Sequence, residues 1–163
     1  MTKTLLYFRI YNYSSAIDCI KKSIELKKKD TLNLSFLAEI FLAANNYNEA
    51  IKLFKEALEF DKKNINSLFN LARAYSDLGE LKIAENYYNE VIKNDPTNIW
   101  AEYELIKINN TYLTDNLLKK VEKKDTNESL DNLNSTFSKL IIAENFKRMK
   151  NYKLELDNLL EAH

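Results

Sequence analysis

Two stretches decide the fold of this chain: NYNEAIKLFKEA at residues 46–57 and ELKIAENYYNEV at residues 80–91. The second follows the first by 34 residues, so that Ala84 falls on Ala50 and Tyr88 falls on Phe54. A fixed period of this size is typical of stacked supersecondary units rather than of one globular core. It indicates a surface that holds a partner, and it argues against a pocket that converts a substrate.

The residues around these stretches have a helical period. The chain contains one Gly and one Pro in 163 residues, and its apolar residues recur three or four positions apart. We therefore predict an all-α fold of ten helices in five antiparallel pairs. The predicted pairs are 2–11 with 13–28, 31–44 with 47–60, 65–78 with 81–94, 98–110 with 114–124, and 132–149 with 151–162.

The predicted breaks fall at residues that end or begin helices. Asn45-Asn46, Leu78-Gly79 and Lys150-Asn151 lie between apolar stripes, and Gly and Asn tolerate the left-handed conformation that closes a helix. Asp95-Pro96-Thr97 should end one helix and provide Thr97 as the cap of the next. The polar stretch 123–129 predicts an irregular junction rather than a domain boundary.

Composition excludes several classes of partner. The chain balances 24 basic against 24 acidic residues, and only three of the basic residues are Arg. Because phosphate binding needs a basic excess and favours Arg, neither nucleic acid nor an anionic membrane is expected as the main partner.

Cys19 is the only cysteine, so no internal disulfide can form, which predicts a reducing, cytoplasmic location. The apolar run 5–8 is too short for a secretory signal, and no run reaches the roughly 18–20 residues of a membrane helix.

These repeats resemble the tetratricopeptide repeat (TPR) family. In that family a large residue stands at position 4, Leu at 7, a small residue at 8, aromatics at 11 and 24, Ala at 20 and 27, and Pro at 32. The repeat at 65–98 matches with Leu68, Leu71, Ala72, Tyr75, Ala84, Tyr88, Val91 and Pro96. The repeat at 31–64 matches with Leu34, Leu37, Ala38, Phe41, Ala50, Phe54 and Ala57.

The resemblance implies one right-handed superhelical solenoid over residues 1–163. Its repeats would span about 1–30, 31–64, 65–98, 99–131 and 132–163. The fourth repeat is degenerate, because Ile106 stands where a small residue belongs and its second helix is one residue out of register. An unrelated helical bundle with a chance repeat is the alternative.

A narrower resemblance concerns the degenerate pair around Trp100 and the segment 137–152. Their order after good repeats looks like bacterial proteins in which TPRs precede a sulfotransferase domain. That domain would bring its own phosphate loop, which these residues lack. On this hypothesis the chain is the N-terminal accessory region of a larger enzyme and positions its acceptor.

No catalytic or metal site is predicted within these residues, and no cofactor. The only histidine is His163, at the end of the chain, and Gly79 stands alone. We interpret Cys19 as a buried thiol rather than a reactive one. We interpret Glu102 with Glu104, and Lys119 with Lys120, as solvated helix faces.

By the TPR resemblance, a partner would lie along the first helix of each pair, at positions 2, 5, 9, 12 and 13. The predicted binding residues are Glu39, Asn66, Phe69, Arg73, Asp77, Trp100, Tyr103 and Lys107. The same positions also give Leu32, Ser35, Leu42, Ala43, Ser76 and Asn110, with Phe8 and Arg9 from the first pair and Glu144 and Lys147 from the last.

Within this set, Phe69, Trp100 and Tyr103 would form an aromatic patch beside Arg73 and Lys107. Trp, Tyr and Arg dominate binding hot spots. Two alternatives stay open at this point: Trp100 could instead pack between pairs three and four, and Arg73 could be neutralised by Glu39 or Asp77.

Chaperone-binding TPRs hold a C-terminal carboxylate with Lys and Asn, then Asn, then Lys and Arg on successive repeats. Asn70 matches the middle position, but Ser35, Glu39, Trp100 and Glu104 stand at the others, so this mode is disfavoured. We predict a non-enzymatic scaffold that binds a protein or peptide segment in its groove, with self-association through apolar edges as a further possibility.

Overall fold

The computed structural model describes residues 12–26, 30–125 and 132–162. Over these residues the structure is helical and contains no strand. The chain divides into two compact units, unit 1 (Met1–Asn94) and unit 2 (Asp95–His163). The predicted helix at 2–11 lies outside the described residues, and the single solenoid stays a prediction.

Unit 1 is a stack of helices in chain order. Its described helices are α1 (Tyr13–Leu26), α2 (Thr31–Ala43), α3 (Tyr47–Phe60), α4 (Ile65–Asp77) and α5 (Leu81–Asn94). Each helix packs against the next one in the chain, and α2 also contacts α4 directly. This arrangement makes α2 and α4 the first helices of successive pairs, as the 34-residue period predicts.

Unit 2 is organised around one long helix. Its elements are α6 (Ile99–Ile108), a 3₁₀ turn (Asn110–Tyr112), α7 (Asp115–Asp125), α8 (Asn132–Arg148) and α9 (Tyr152–Ala162). Helix α8 packs against α6, α7 and α9. The helices predicted over the described residues of both units are confirmed to within two residues at the ends that the structure describes.

The core of unit 1 follows the repeat positions. Ala38 and Ala50 are fully buried, as are their counterparts Ala72 and Ala84 one repeat later. Such small residues let two helices approach closely, and the buried rings of Phe54 and Tyr88 fill the space that remains. The periodic apolar residues therefore form the core, with Phe41 and Tyr75 only partly buried. The Cys19 thiol is half-buried rather than buried, since among the described elements α1 packs chiefly on α2.

The helix ends repeat with the same period as the core. The side chains of Asp30, Asn64 and Asn98, which lie 34 residues apart, each accept a hydrogen bond from a backbone N–H of the helix that follows. The expectation that Thr97 caps α6 is wrong. Its hydroxyl donates to Asp95 Oδ1 at 2.7 Å, and the helix begins one residue later under Asn98.

Three helices end in the same left-handed turn. Asn45, Gly79 and Lys150 have φ values of 57°, 80° and 57°. The next residue of each turn donates its N–H to a carbonyl five positions back, in the Schellman arrangement. The first two breaks use residues that tolerate this conformation. At the third break Lys150 has the left-handed conformation. The next residue, Asn151, caps α9 instead, since its side chain accepts a hydrogen bond from the N–H of Leu154.

We therefore predict that Lys150→Gly stabilises the protein. A lysine held at positive φ carries backbone strain that glycine lacks, so the free energy of unfolding should rise by about 0.5–1 kcal/mol. Gly79→Ala is the matched opposite change and should lower it by a similar amount. Urea denaturation of the three proteins measures both. No gain for Lys150→Gly would contradict this account of the turn.

A partly buried pair of tyrosines in unit 1, beside the exposed Lys55, also predicts a loss of stability at alkaline pH. The ring of Tyr87 stacks on Tyr75 at 5.8 Å, and Lys55 Nζ lies 5.5 Å from the Tyr75 ring centroid. Burial raises the pKa of Tyr87 above its usual 10.0, more than nearby Lys55 lowers it. A hydrogen bond to Tyr75 raises the pKa of Lys55 as well.

Both groups keep their protons more tightly in the folded protein, so their contribution is complete below the unfolded pKa and is lost as pH rises through the folded pKa. We expect the free energy of unfolding to fall above about pH 10, and to fall less steeply in Tyr87→Phe. Denaturation midpoints measured from pH 8 to 11.5 test this. Equal slopes in the two proteins would show that Tyr87 is not responsible.

Candidate functional site

The predicted binding residues fall in both units, and each unit is described by itself. Unit 1 contains Glu39, Asn66, Phe69, Arg73 and Asp77. Unit 2 contains Trp100, Tyr103 and Lys107. Phe8 and Arg9 lie outside the described residues.

In unit 1 a chain of hydrogen bonds joins α2 to α4. Asn66 Nδ2 donates to Glu39 Oε1 at 2.5 Å, and Asn70 Nδ2 donates to Asn66 Oδ1 at 2.8 Å. Arg73 Nη1 then donates to Asn70 Oδ1 at 3.4 Å. The chain fixes a carboxylate at one end and a guanidinium at the other. We call these four residues the unit 1 face.

Other predicted positions of unit 1 are buried. Phe69 is 6% exposed and meets Tyr88 edge to face at 5.5 Å. Ser35 and Ser67 share a buried hydrogen bond of 2.7 Å between α2 and α4. Ser35 and Phe69 both stand at position 5 of their repeats, and each is covered by a different neighbour, Ser35 by α4 and Phe69 by Tyr88 of α5. Asp77 is exposed at the end of α4.

In unit 2 an aromatic cluster joins α6 to α8. The ring of Trp100 stacks on Phe137 at 5.1 Å, and the ring of Tyr103 tilts against the same phenylalanine at 5.6 Å. Trp100 is half-buried. Sequence reasoning missed Phe137 as a site residue. The repeat pattern could have indicated it. With Ile142 at position 7 of the last repeat, Phe137 stands at position 2, the position that Trp100 has in the repeat before.

The carboxyl groups on α6 are engaged rather than solvated. Glu104 accepts a hydrogen bond from Trp100 Nε1 at 3.2 Å and pairs with Lys107 Nζ at 2.9 Å. Glu102, 13% exposed, pairs with Lys120 Nζ at 2.6 Å, and the same ammonium donates to the Pro96 carbonyl at 2.7 Å. The interpretation of Glu102, Glu104 and Lys120 as solvated is therefore wrong. The Glu102–Lys120 pair joins α6 to α7, whereas the contacts of Glu104 lie within α6.

A cleft of about 440 Å³ opens between α6 and α8 beside the aromatic cluster. We call it the unit 2 cleft. It is lined by Tyr103, Ile106, Lys107, Asn110, Glu144 and Lys147. Five of these six stand at predicted first-helix positions, and Ile106 is the large residue at the position where a small one is usual.

The degenerate pair has the predicted shift of register. Leu117 and Val121 are buried in α7, where the repeat pattern would place the inward positions one residue later, at 118 and 122. With Ile106 they form an apolar cluster that also contains Ile141 of α8. In this arrangement α6 and α7 each pack on α8, and Ile106 contributes its large side chain to the apolar cluster.

Two other kinds of site are absent from the part of the chain that the structure describes. Its helices include none long and apolar enough to cross a membrane. Its His, Cys, Asp and Glu side chains form no group of three that could hold a metal ion.

Sequence comparison identifies the repeat. Residues 41–107 match the tetratricopeptide repeat family model. This segment is therefore similar to tetratricopeptide repeats, as its 34-residue period predicts. The match begins within α2 and ends in the last turn of α6, so it includes Asn66, Asn70 and Arg73 of the unit 1 face, but not Glu39, and extends to Trp100, Tyr103 and Lys107. No curated protein sequence matches the chain.

Solved TPR structures share the fold. MamA superposes with a TM-score of 0.69 at 15% identity, covering 99% of this chain and 93% of MamA. The first TPR of Spaghetti (RPAP3), solved with the HSP90 peptide SRMEEVD, gives 0.63 at 22% identity, covering 69% of this chain and 90% of that one. The second TPR domain of human RPAP3, solved with the HSP70 peptide SGPTIEEVD, gives 0.61 at 26% identity, covering 66% and 89%. The all-α fold of TPR type is confirmed, whereas the sulfotransferase resemblance has no support from these findings.

The Lys120–Glu102 pair predicts a stability effect next to the cleft. Lys120→Met keeps the aliphatic stem but leaves a largely buried carboxylate without its cation, so the free energy of unfolding should fall by about 1–3 kcal/mol. Lys93→Met is the control, because Lys93 forms an exposed pair with Glu90, and such pairs contribute about 0–1 kcal/mol. Adding Glu102→Gln to Lys120→Met should restore part of the loss. Equal effects of the two lysine changes would show that Glu102 does not depend on Lys120.

Proposed function

We propose that this chain is a TPR scaffold that binds a protein or peptide segment along the first helices of its repeats. The TPR match and fold support this proposal, as do the two RPAP3 TPR structures, which were solved with bound peptides. The proposal assigns no catalytic step and no cofactor to these residues. A cytoplasmic location belongs to the proposal and stays a prediction.

The observation that carries the proposal is the unit 2 cleft. Its lining combines a half-buried aromatic ring with two cations, a carboxylate and an amide. Protein interfaces use this mixture, with aromatic anchors at the centre and polar groups at the rim. The unit 1 face adds fixed polar groups, since each of its four side chains is held by a neighbour.

The mode of binding should differ from that of a chaperone clamp. Ser35 is engaged inside the core with Ser67. Glu39 presents a negative group that repels a terminal carboxylate. Trp100 is stacked on Phe137. The partner is therefore expected to be an internal segment rather than a free C-terminus of the kind bound to the RPAP3 domains.

A random peptide library displayed on phage tests the proposal. Selected peptides should bind the purified chain with dissociation constants on the order of micromolar, as transient interfaces do. Arg73→Glu and Trp100→Ala should weaken binding about tenfold without lowering helix content in circular dichroism. Lys93→Glu, which changes an exposed lysine of α5, is the charge-matched control and should bind as wild type does.

Two results would contradict the proposal at different levels. Selection that yields no binding peptide would overturn the scaffold function. Peptides that bind Arg73→Glu and Trp100→Ala as tightly as wild type would overturn the assignment of the site but not the function.

Self-association stays a separate prediction. Helix α9 exposes Leu156 and Leu160, which are 55% and 67% accessible. Light scattering as a function of concentration measures it, and a constant monomer mass would exclude it.

A further inference from the structure

We infer that the unit 2 cleft selects an acidic protein segment, with a partner carboxylate bound by Lys107 and Lys147 and a neighbouring apolar side chain against Tyr103 and Ile106. This inference rests on the proposed scaffold function and names the chemistry of its partner.

The charge of the cleft supports this choice. The lining contains two ammonium groups and one carboxylate, Glu144, and the charge of the second ammonium is balanced by Glu104. Lys107 pairs with Glu104 and Lys147 pairs with Glu144, each three residues back on its own helix. Both lysine side chains are more than half exposed, at 55% and 57%, whereas the side chains of Glu104 and Glu144 are only 16% and 28% exposed. The surface of the cleft therefore presents the ammonium groups more than the carboxylates.

The two lysines can bind a further carboxylate without leaving their present partners. An ammonium group has three donors. Lys107 directs one bond to Glu104, and Lys147 donates to the two oxygens of a single carboxylate. Exposed pairs of this kind are worth only about 0–1 kcal/mol, so they also exchange readily with a partner's acidic group.

The apolar part of the cleft is packed against the neighbouring core. Ile106 is buried within the α6–α8 cluster, and the ring of Tyr103 is held against Phe137. A leucine-sized side chain placed there would gain apolar contact without ordering the wall that receives it. A carboxylate and an apolar side chain that are adjacent in sequence therefore fit the cleft together.

The same features favour protein over nucleic acid. Stacking of a base needs an open aromatic face. Tyr103 has Phe137 on one side, and Lys107 Nζ lies 5.7 Å from its ring centroid. The chain also lacks the basic excess that phosphate binding requires.

The contrast with unit 1 adds a second reason to locate the acidic segment here. The unit 1 face carries the guanidinium of Arg73 at one end and the carboxylate of Glu39 at the other, and Glu39 is held by the amide of Asn66 rather than by a cation. A partner's acidic side chain would be repelled at that carboxylate, whereas it would be attracted by Lys107 and Lys147.

Three blocked peptides test the inference on the full chain. They are ten residues long, acetylated and amidated, and alternate pairs of leucine with pairs of glutamate, glutamine or lysine. Binding is followed by calorimetry and by the fluorescence of Trp100, the only tryptophan, whose ring stacks on Phe137 beside the cleft. We expect the glutamate peptide to bind at least fivefold more tightly than the glutamine peptide, and the preference to shrink as salt rises.

Variants assign the preference to the two lysines. Lys107→Gln with Lys147→Gln should abolish it, and Lys107→Glu with Lys147→Glu should reverse it toward the lysine peptide. Lys93→Glu is the matched control, because it reverses a lysine with the same exposed pairing outside the cleft. The Lys93→Glu protein should prefer the glutamate peptide over the glutamine peptide as strongly as wild type does.

The outcomes separate this inference from the scaffold function. Equal binding of the glutamate and glutamine peptides, or a preference that survives both double variants, would overturn the inference. Library peptides could still bind in that case, and the scaffold function would stand. Displacement of the glutamate peptide by a ten-nucleotide thymidine strand at equal concentration would also overturn it, because the cleft would then bind phosphate as well. If the library selection yields no binding peptide and none of the three designed peptides binds, both proposals are contradicted.

Discussion

Close approach of paired helices is the constraint on which unit 1 depends. Ala38 and Ala50 are fully buried, and so are Ala72 and Ala84 one repeat later. A larger side chain at any of them would force the helices apart and leave the rings of Phe54 and Tyr88 badly packed, because interiors are close to fully packed. The caps at Asp30, Asn64 and Asn98 repeat at the same interval. Core and helix ends therefore specify one register together.

Unit 2 shows what happens when this constraint is relaxed. Ile106 occupies the position of the small residue, and the inward side chains of α7 shift by one position to Leu117 and Val121. Polar contacts supplement the packing there, since Lys120 ties Glu102 to the Pro96 carbonyl. The cleft between α6 and α8 lies in this altered repeat. The proposed binding site thus coincides with the departure from the repeat pattern rather than with its best copies.

Charged side chains are arranged differently on the two candidate surfaces, although the chain as a whole is neutral. Glu39 is held by an amide on the unit 1 face, while Lys107 and Lys147 line the unit 2 cleft. Net charge excludes classes of partner that need a basic excess. It says nothing about local selectivity, which depends on which side chains the helices bring together.

The sequence by itself determined the helices, their ends and most of the core. These features depend on residues three or four positions apart, as in the buried pair Leu34 and Ala38, and on single capping residues such as Asn64. Only the tertiary structure decided which predicted positions are covered and which are open. Phe69 lies in the core against Tyr88, whereas Tyr103 packs on Phe137 and lines a cleft. The sequence alone does not give these contacts, because they join residues far apart in the chain. They depend on how closely two helices approach, and that distance is set by the packing of all their side chains at once.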